Sequence, residues 1–221
     1  MKRILVLIGI VLITYTNAFC QIFTPNDIEK YISEYKDMKI KKLMPVMQEL
    51  SKTVKFDDSN RLIYTEIIEC PGKTKESLYT IINYWVSSSF NDANSVIQLN
   101  DKDKGCIICQ TLYPEIASNY QIVANYKANI KPVIKIDIKE EKIRISITID
   151  HYIIDIYDAK GLKAGSENVL IKETFPFVDG AKYEKTACKA FMMTNALMHA
   201  TIDKIRNAVT SGISGNENDD W

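Results

Sequence analysis

Residues 130–149 read Ile-Lys-Pro-Val-Ile-Lys-Ile-Asp-Ile-Lys-Glu-Glu-Lys-Ile-Arg-Ile-Ser-Ile-Thr-Ile. Isoleucine alternates with polar or charged residues on both sides of Glu140-Glu141. Successive side chains of a strand point to opposite faces, so this pattern describes an extended chain with one greasy side. Upstream, the even positions Tyr120, Ile122, Ala124, Tyr126, Ala128, Ile130, Pro132, Ile134, Ile136 and Ile138 carry the apolar side. Downstream, Ile143, Ile145, Ile147, Ile149 and Ile153 alternate with Arg144, Ser146, Thr148, Asp150 and Tyr152. The pattern predicts two antiparallel strands folded at Glu140-Glu141, with one face on a core and the other wet. Pro132 has no N–H for the ladder and marks an edge or a bulge.

Working outward, Leu62 to Glu69 is a further strand, stopped by Cys70-Pro71-Gly72. A helix follows from Thr74 to Phe90, with Leu78, Ile81, Ile82, Trp85 and Val86 as its buried stripe. Ser95 to Leu99 and Cys106 to Leu112 form a hairpin around Asn100 to Gly105. Asp158 to Lys182 shows no clean period. A last helix runs from about Tyr183 to Val209, its stripe set by Phe191, Thr194, Met198, Thr201, Ile205 and Val209. Ala187, Ala190, Ala196 and Ala200 let it pack closely, and Gly212 ends it. The order is strand, helix, four strands, helix. Two amphipathic helices on the greasy face of one antiparallel sheet satisfy each other, so the expected class is α+β with both helices on one face.

The first twenty residues bear on compartment. Lys2 and Arg3 precede the apolar run Ile4 to Ile13, and small and polar residues lead to Ala18-Phe19-Cys20. That order is a secretory signal peptide. The run is half the ~20 residues of a spanning helix. The expected product is exported, periplasmic or extracellular, with no membrane span after cleavage at Cys20. The expected divisions are a signal peptide at 1–20, an N-terminal extension with a helix at 21–60, the α+β domain at 61–210 and a disordered acidic tail at 211–221. The extension's helix starts at Thr24-Pro25-Asn26-Asp27 and fades before Pro45. Lys+Arg 28 balances Asp+Glu 28, and without Lys2 and Arg3 the count is 26 against 28, a formal charge of −2. Proteins that grip phosphate backbones carry a basic excess, so no nucleic-acid partner is expected.

Reactive groups are few. Cys70, Cys106, Cys109 and Cys188 follow the signal. An oxidising compartment permits disulfides, and four thiols allow three complete pairings. Cys106 and Cys109, three apart on a strand, face opposite sides, so they read as buried structural thiols rather than a redox or metal pair. Only two histidines exist, His151 and His199. They form no HExxH pair, and no glycine-rich phosphate loop occurs. Asp150 and His151, adjacent on a strand, point to opposite faces. No catalytic residue, metal site or cofactor is assigned.

The stretch Glu69-Cys70-Pro71-Gly72-Lys73-Thr74-Lys75-Glu76-Ser77-Leu78-Tyr79 resembles the strand end, Pro-Gly turn and helix start of a family of exported bacterial proteins, domain of unknown function 4468. Trp85, Phe90, Val96-Ile97, Gly105, Ile107 and Lys142-Ile143-Arg144 are similar to its helix aromatics, hairpin and last strand. The resemblance spans Leu62 to Ile154. It implies a fold like that of the TATA-box-binding protein and brings no catalytic residues. Fold does not imply function.

The expected function is a non-enzymatic binding or interaction module of the cell envelope. Its candidate face is the wet one: Gln121, Asn125, Lys127, Asn129, Arg144, Ser146, Thr148, Asp150 and Tyr152. The expected partner is an envelope protein or a glycan. One rival reading is a hydrophobic-ligand carrier, with a cavity between sheet and helices and Phe175-Pro176-Phe177 as its lid. The other is a hydrolase whose carboxylates meet from distant segments.

Overall fold

The structure is a computed structural model that describes residues 23–90 and 92–212. The signal-peptide reading, and the tail reading beyond residue 212, lie outside the described residues. Five α-helices occur there: α1 (Pro25–Ile32), α2 (Ile40–Ser51), α3 (Lys75–Ser89), α4 (Ala93–Val96) and α5 (Glu184–Ser211). The ten strands are β1 (Lys55–Phe56), β2 (Leu62–Glu69), β3 (Ile97–Asp101), β4 (Cys106–Gln110), β5 (Tyr113–Tyr120), β6 (Ala124–Ile130), β7 (Val133–Lys139), β8 (Lys142–Ile149), β9 (His151–Asp158) and β10 (Lys163–Leu170).

The α+β class is borne out, with every strand pair antiparallel, but the strands make two sheets rather than one. A six-stranded sheet has the order β1-β2-β8-β7-β4-β3, and a four-stranded sheet has the order β10-β9-β6-β5. The chain passes between them at Thr111-Leu112, at Lys131-Pro132 and at Asp150. Strand β5 and edge strand β10 carry no clean apolar alternation, and the sequence reading missed both.

The crossing at Asp150 has a bulge. Val133 lies opposite Thr148 in one sheet, and Ile130 lies opposite Tyr152 in the other. Lys131 and Pro132 therefore face three residues, Ile149, Asp150 and His151. One extra residue inverts the inward parity of everything after it. Ile143, Ile145, Ile147 and Ile149 are buried at odd positions, then Tyr152 and Ile154 at even ones. The other strand keeps its even parity from Ala128 to Ile138. Tyr120 and Ile122, expected inside, are 69% and 95% exposed at the β5–β6 turn.

Both long helices form as the periodicity predicts. In α3 the Thr74 side chain caps the first turn, accepting from the Ser77 N–H at 3.1 Å, and Leu78, Ile81, Ile82, Trp85 and Val86 are buried. The α5 stripe is buried in full, together with Ala187, Ala190, Ala196 and Ala200. This helix lies across β5 and β6, and α1, α2 and α3 pack against it. Being enclosed on several sides, it needs apolar or small residues around most of its circumference. Each fully buried isoleucine or phenylalanine of this core contributes about 2 kcal/mol of transfer free energy. The N-terminal segment departs from expectation. It forms two helices, and α2 carries Pro45 inside it because Leu43 and Met47 are buried in the shared core. Among the described residues, no helix is long and apolar enough to cross a membrane.

Candidate functional site

The outer face of the six-stranded sheet is set by β8. Arg144, Ser146 and Thr148 point away from the buried isoleucines between them. Cross-strand register lines them up with neighbours on the same face. One row runs Ile67, Arg144, Asp137 and Cys106; the next runs Thr65, Ser146, Lys135 and Ile108; the third runs Ile63, Thr148, Val133 and Gln110. Every residue of these rows is exposed or partly exposed. Ile67 is 59% exposed and Leu99 43%. A shallow groove of about 260 Å³ lies at one end, bordered by Ile67, Glu69, Lys139, Lys142 and Arg144.

The charges of this face are already arranged. Arg144 donates from Nε and Nη2 to Asp137 Oδ2 at 3.1 and 2.7 Å. Lys135 reaches Asp137 Oδ1 at 2.8 Å. Burial works against the Asp137 charge, but these hydrogen bonds and cations hold its carboxyl below the usual range. The cationic side chains are thereby fixed in place, with the aliphatic side chains between them open to solvent.

Gln121, Asn125, Lys127 and Asn129 belong to the other sheet, so the structure does not bring the nine candidate residues together. Gln121 is exposed at the β5–β6 turn. The Lys127 ammonium lies 2.6 Å from Glu115 and 5.0 Å from the Tyr157 ring centroid. Asn129, expected on the wet face, is 5% exposed. It donates to Ile153 O at 3.0 Å and Asp155 Oδ2 at 3.1 Å, and accepts the Glu115 N–H at 2.8 Å. Its polar atoms hold the bulged start of β5 to β9 and are spent on the fold.

Tyr152 is the largest correction. It has no exposed surface and packs under α5 rather than on the wet face, because the bulge turns it inward. Burial pushes its phenol far above the ordinary value, partly offset by the Thr194 hydroxyl. Asp150 sits in the bulge itself, half-buried, and accepts the His151 N–H at 2.9 Å. Its carboxylate also meets His151 Nδ1 at 2.6 Å. The two were expected on opposite faces; irregular backbone brings them together.

Sequence reasoning missed a polar cluster on α5. His199 packs against the rings of Tyr31 and Tyr64, with centroids 5.7 and 5.6 Å away. Asp203, one turn on, accepts from Lys30, Tyr31 and Arg206, and Arg206 also bonds Glu66. Tyr64 donates to Asn195 at 3.3 Å. His199 keeps an exposed edge, and desolvation of the rest of its ring against Tyr31 and Tyr64 lowers its pKa, opposed by Asp203 and Glu66. The i, i+4 pair His199 and Asp203 was a local signal, but apart from Arg206 its partners lie more than a hundred residues away. This cluster ties α1 and β2 to α5. The Phe175-Pro176-Phe177 stretch is no lid: Phe175 is buried, and Phe177 packs on Phe56 and Phe191. The described cysteines are free thiols. Burial pushes Cys109 up to about 11 and Cys188 up to about 12.

Comparison with known proteins bears on the fold. A TBP-like protein from Parabacteroides distasonis aligns with a TM-score of 0.51 at 17% identity, over 69% of this chain and 97% of its own. A DUF4468 family protein from Bacteroides ovatus gives 0.49 at 11% identity, over 74% and 94%. No curated protein matches the chain. The family model described as a domain of unknown function (DUF4468) with TBP-like fold matches residues 64–152, from mid-β2 to early β9. That span holds the cap, helix stripe, hairpin and isoleucine ladders on which the resemblance rests, and over it the chain is similar to the DUF4468 family with its TBP-like fold.

Proposed function

We propose that this protein is a non-enzymatic binding module of the cell envelope, exported through its N-terminal segment, that recruits a protein partner on the outer face of the six-stranded sheet. The uncovered state of that face carries the reading. Ile67, Leu99, Ile108 and Val133 are interleaved there with Lys135, Asp137 and Arg144. Aliphatic contact between fixed charges of both signs suits a protein surface. A protein that grips a phosphate backbone carries a basic excess, which the chain without Lys2 and Arg3, at 26 Lys+Arg against 28 Asp+Glu, lacks.

The test is photo-cross-linking in producing cells, with the reactive residue placed at position 67 and, as a control, in the exposed turn at Lys160. The expected result is one discrete adduct from position 67, lost on adding Arg144→Glu and absent from position 160. No adduct from position 67, or equal adducts from both positions, refutes the reading.

A further inference from the structure

Helix α5 begins without a side-chain cap. Tyr183 occupies its N-cap position in the left-handed region, φ 61 and ψ 24, and its hydroxyl is turned away to Glu167 at 2.5 Å. The first backbone bond runs from the Ala187 N–H to Tyr183 O at 2.8 Å. The N–H groups of Glu184, Lys185 and Thr186 have no acceptor among the described residues. In a helix of 28 residues the aligned peptide dipoles leave partial positive charge on this turn.

A pocket of about 310 Å³ opens on these groups, bordered by Asn119, Gln121, Tyr126, Tyr183, Lys185 and Thr186. Thr186 supplies an independent observation. It is 1% exposed, and its hydroxyl has no hydrogen-bond partner. Helical side chains tilt toward the N-terminus, so a hydroxyl on the third residue is aimed at the same end as the free N–H groups. A buried hydroxyl without a partner costs about 1–3 kcal/mol, which a ligand oxygen would relieve. The local charges agree. Lys185 is exposed and makes no ion pair among the described residues, while Lys182 is held by Glu167 at 2.7 Å. Lys182 and Glu184 also border the pocket, and the Glu184 carboxylate accepts the Gly180 N–H at 3.1 Å.

We propose that the start of α5 is a binding site for the oxyanion of a small ligand, a phosphate or a carboxylate. The three free N–H groups, the Thr186 hydroxyl and the Lys185 ammonium are its donors. The Asn119 and Gln121 amides and the Tyr126–Tyr183 ring pair, 5.0 Å apart, border the rest of the ligand. The site lies away from the six-stranded sheet and is independent of the partner face.

The test uses ¹⁵N-labelled protein comprising residues 21–221, titrated with sodium phosphate or sodium acetate at constant ionic strength. Saturable shifts of the Glu184, Lys185 and Thr186 amides are expected, and the tighter of the two anions identifies the ligand group. Lys185→Glu is expected to weaken binding by more than tenfold while raising the thermal midpoint, because its carboxylate fills the helix end. Thr186→Val is expected to weaken binding about tenfold without loss of stability, because the hydroxyl it removes has no partner in the free protein. Amide shifts that grow linearly with both anions, or that saturate in both variants as in the unaltered protein, overturn the proposal.

Discussion

Tyr152 and Arg144 both belong to the polar half of the alternation, yet they have opposite energetics. Tyr152 is wholly enclosed under α5. Tyr152→Ala is expected to cost about 3–5 kcal/mol, the range for deleting a buried aromatic ring. Arg144 is 54% exposed and pairs with Asp137 at the surface. Arg144→Ala is expected to change stability by less than about 1 kcal/mol. Urea unfolding of the two variants checks both, and equal costs would mean that the parity of β9 is misassigned. The thiols give a second residue-scale outcome. Burial raises the pKa of all four described cysteines, but Cys106 is half-exposed on the outer sheet face, while Cys70, Cys109 and Cys188 are enclosed. Iodoacetamide at pH 8 is expected to modify Cys106 alone in the folded protein, and mass spectrometry of the peptides reads the site. Cys109 was legible as a buried thiol because the strand period puts it in line with Ile107. The burial of Asn129 was not legible, since its partners on β5 and β9 are chosen only when those strands pair.

The extra residue at Asp150 sets the phase of a whole element. Before it β8 turns its odd positions inward; after it β9 turns its even positions inward. Deleting Asp150 would make the register continuous, with Lys131 and Pro132 opposite His151 and Ile149 and Ile130 still opposite Tyr152, so Tyr152 and Ile154 would keep their inward side. What the deletion removes is the bulge that bends the chain from one sheet to the other. The expected result is a single cooperative unfolding transition at a lower midpoint than that of Asp150→Ala, which keeps the residue count and is expected to cost about 1 kcal/mol. Calorimetry of the two variants separates the bulge from its side chain, and equal midpoints would mean that the bulge carries no stability of its own. The helices show the opposite behaviour: the α3 and α5 stripes, the helix start near Thr74 and the Gly212 stop were all readable, because they depend on residues three or four apart. Strand β10 was unreadable. It is an edge strand with one partner, and an exposed strand of Lys, Gly, Ser, Glu and Asn has no apolar alternation to display.

For the molecule as a whole, the α5 cluster couples stability to pH. Desolvation against Tyr31 and Tyr64 holds the His199 imidazole below its usual value of 6.5, against the pull of Asp203 and Glu66 and with the help of Arg206. The unfolded chain therefore takes up this proton first. The contribution of neutral His199 is complete above pH 6.5 and is lost as pH falls from there toward the folded value. The carboxylates follow. Burial opposes the charge on Asp203, Asp27 and Asp137, but hydrogen bonds from Lys30 and Tyr31, from Lys204, and from Lys135 and Arg144 keep all three below the ordinary value. Their contribution is present above about pH 3.9 and is lost as pH falls through the folded values. Urea midpoints measured from pH 8 to pH 3 are expected to decline in two stages, and His199→Gln is expected to remove the first. A single decline, unchanged in the variant, would assign the pH dependence to the carboxylates alone.

What the chain determined by itself was periodic: two-residue alternation in the ladders, helical spacing in α3 and α5, the caps and stops between them, and hence the α+β class. These are interactions of a residue with near neighbours, and they are written in consecutive letters. Tertiary structure alone decided which side of each ladder meets the helices beyond Asp150, how the polar candidates divide between two sheets, and which groups gather around His199 and at the uncapped start of α5. Those outcomes follow from strand register and helix docking, where a single inserted residue or a partner far along the chain outweighs any local preference.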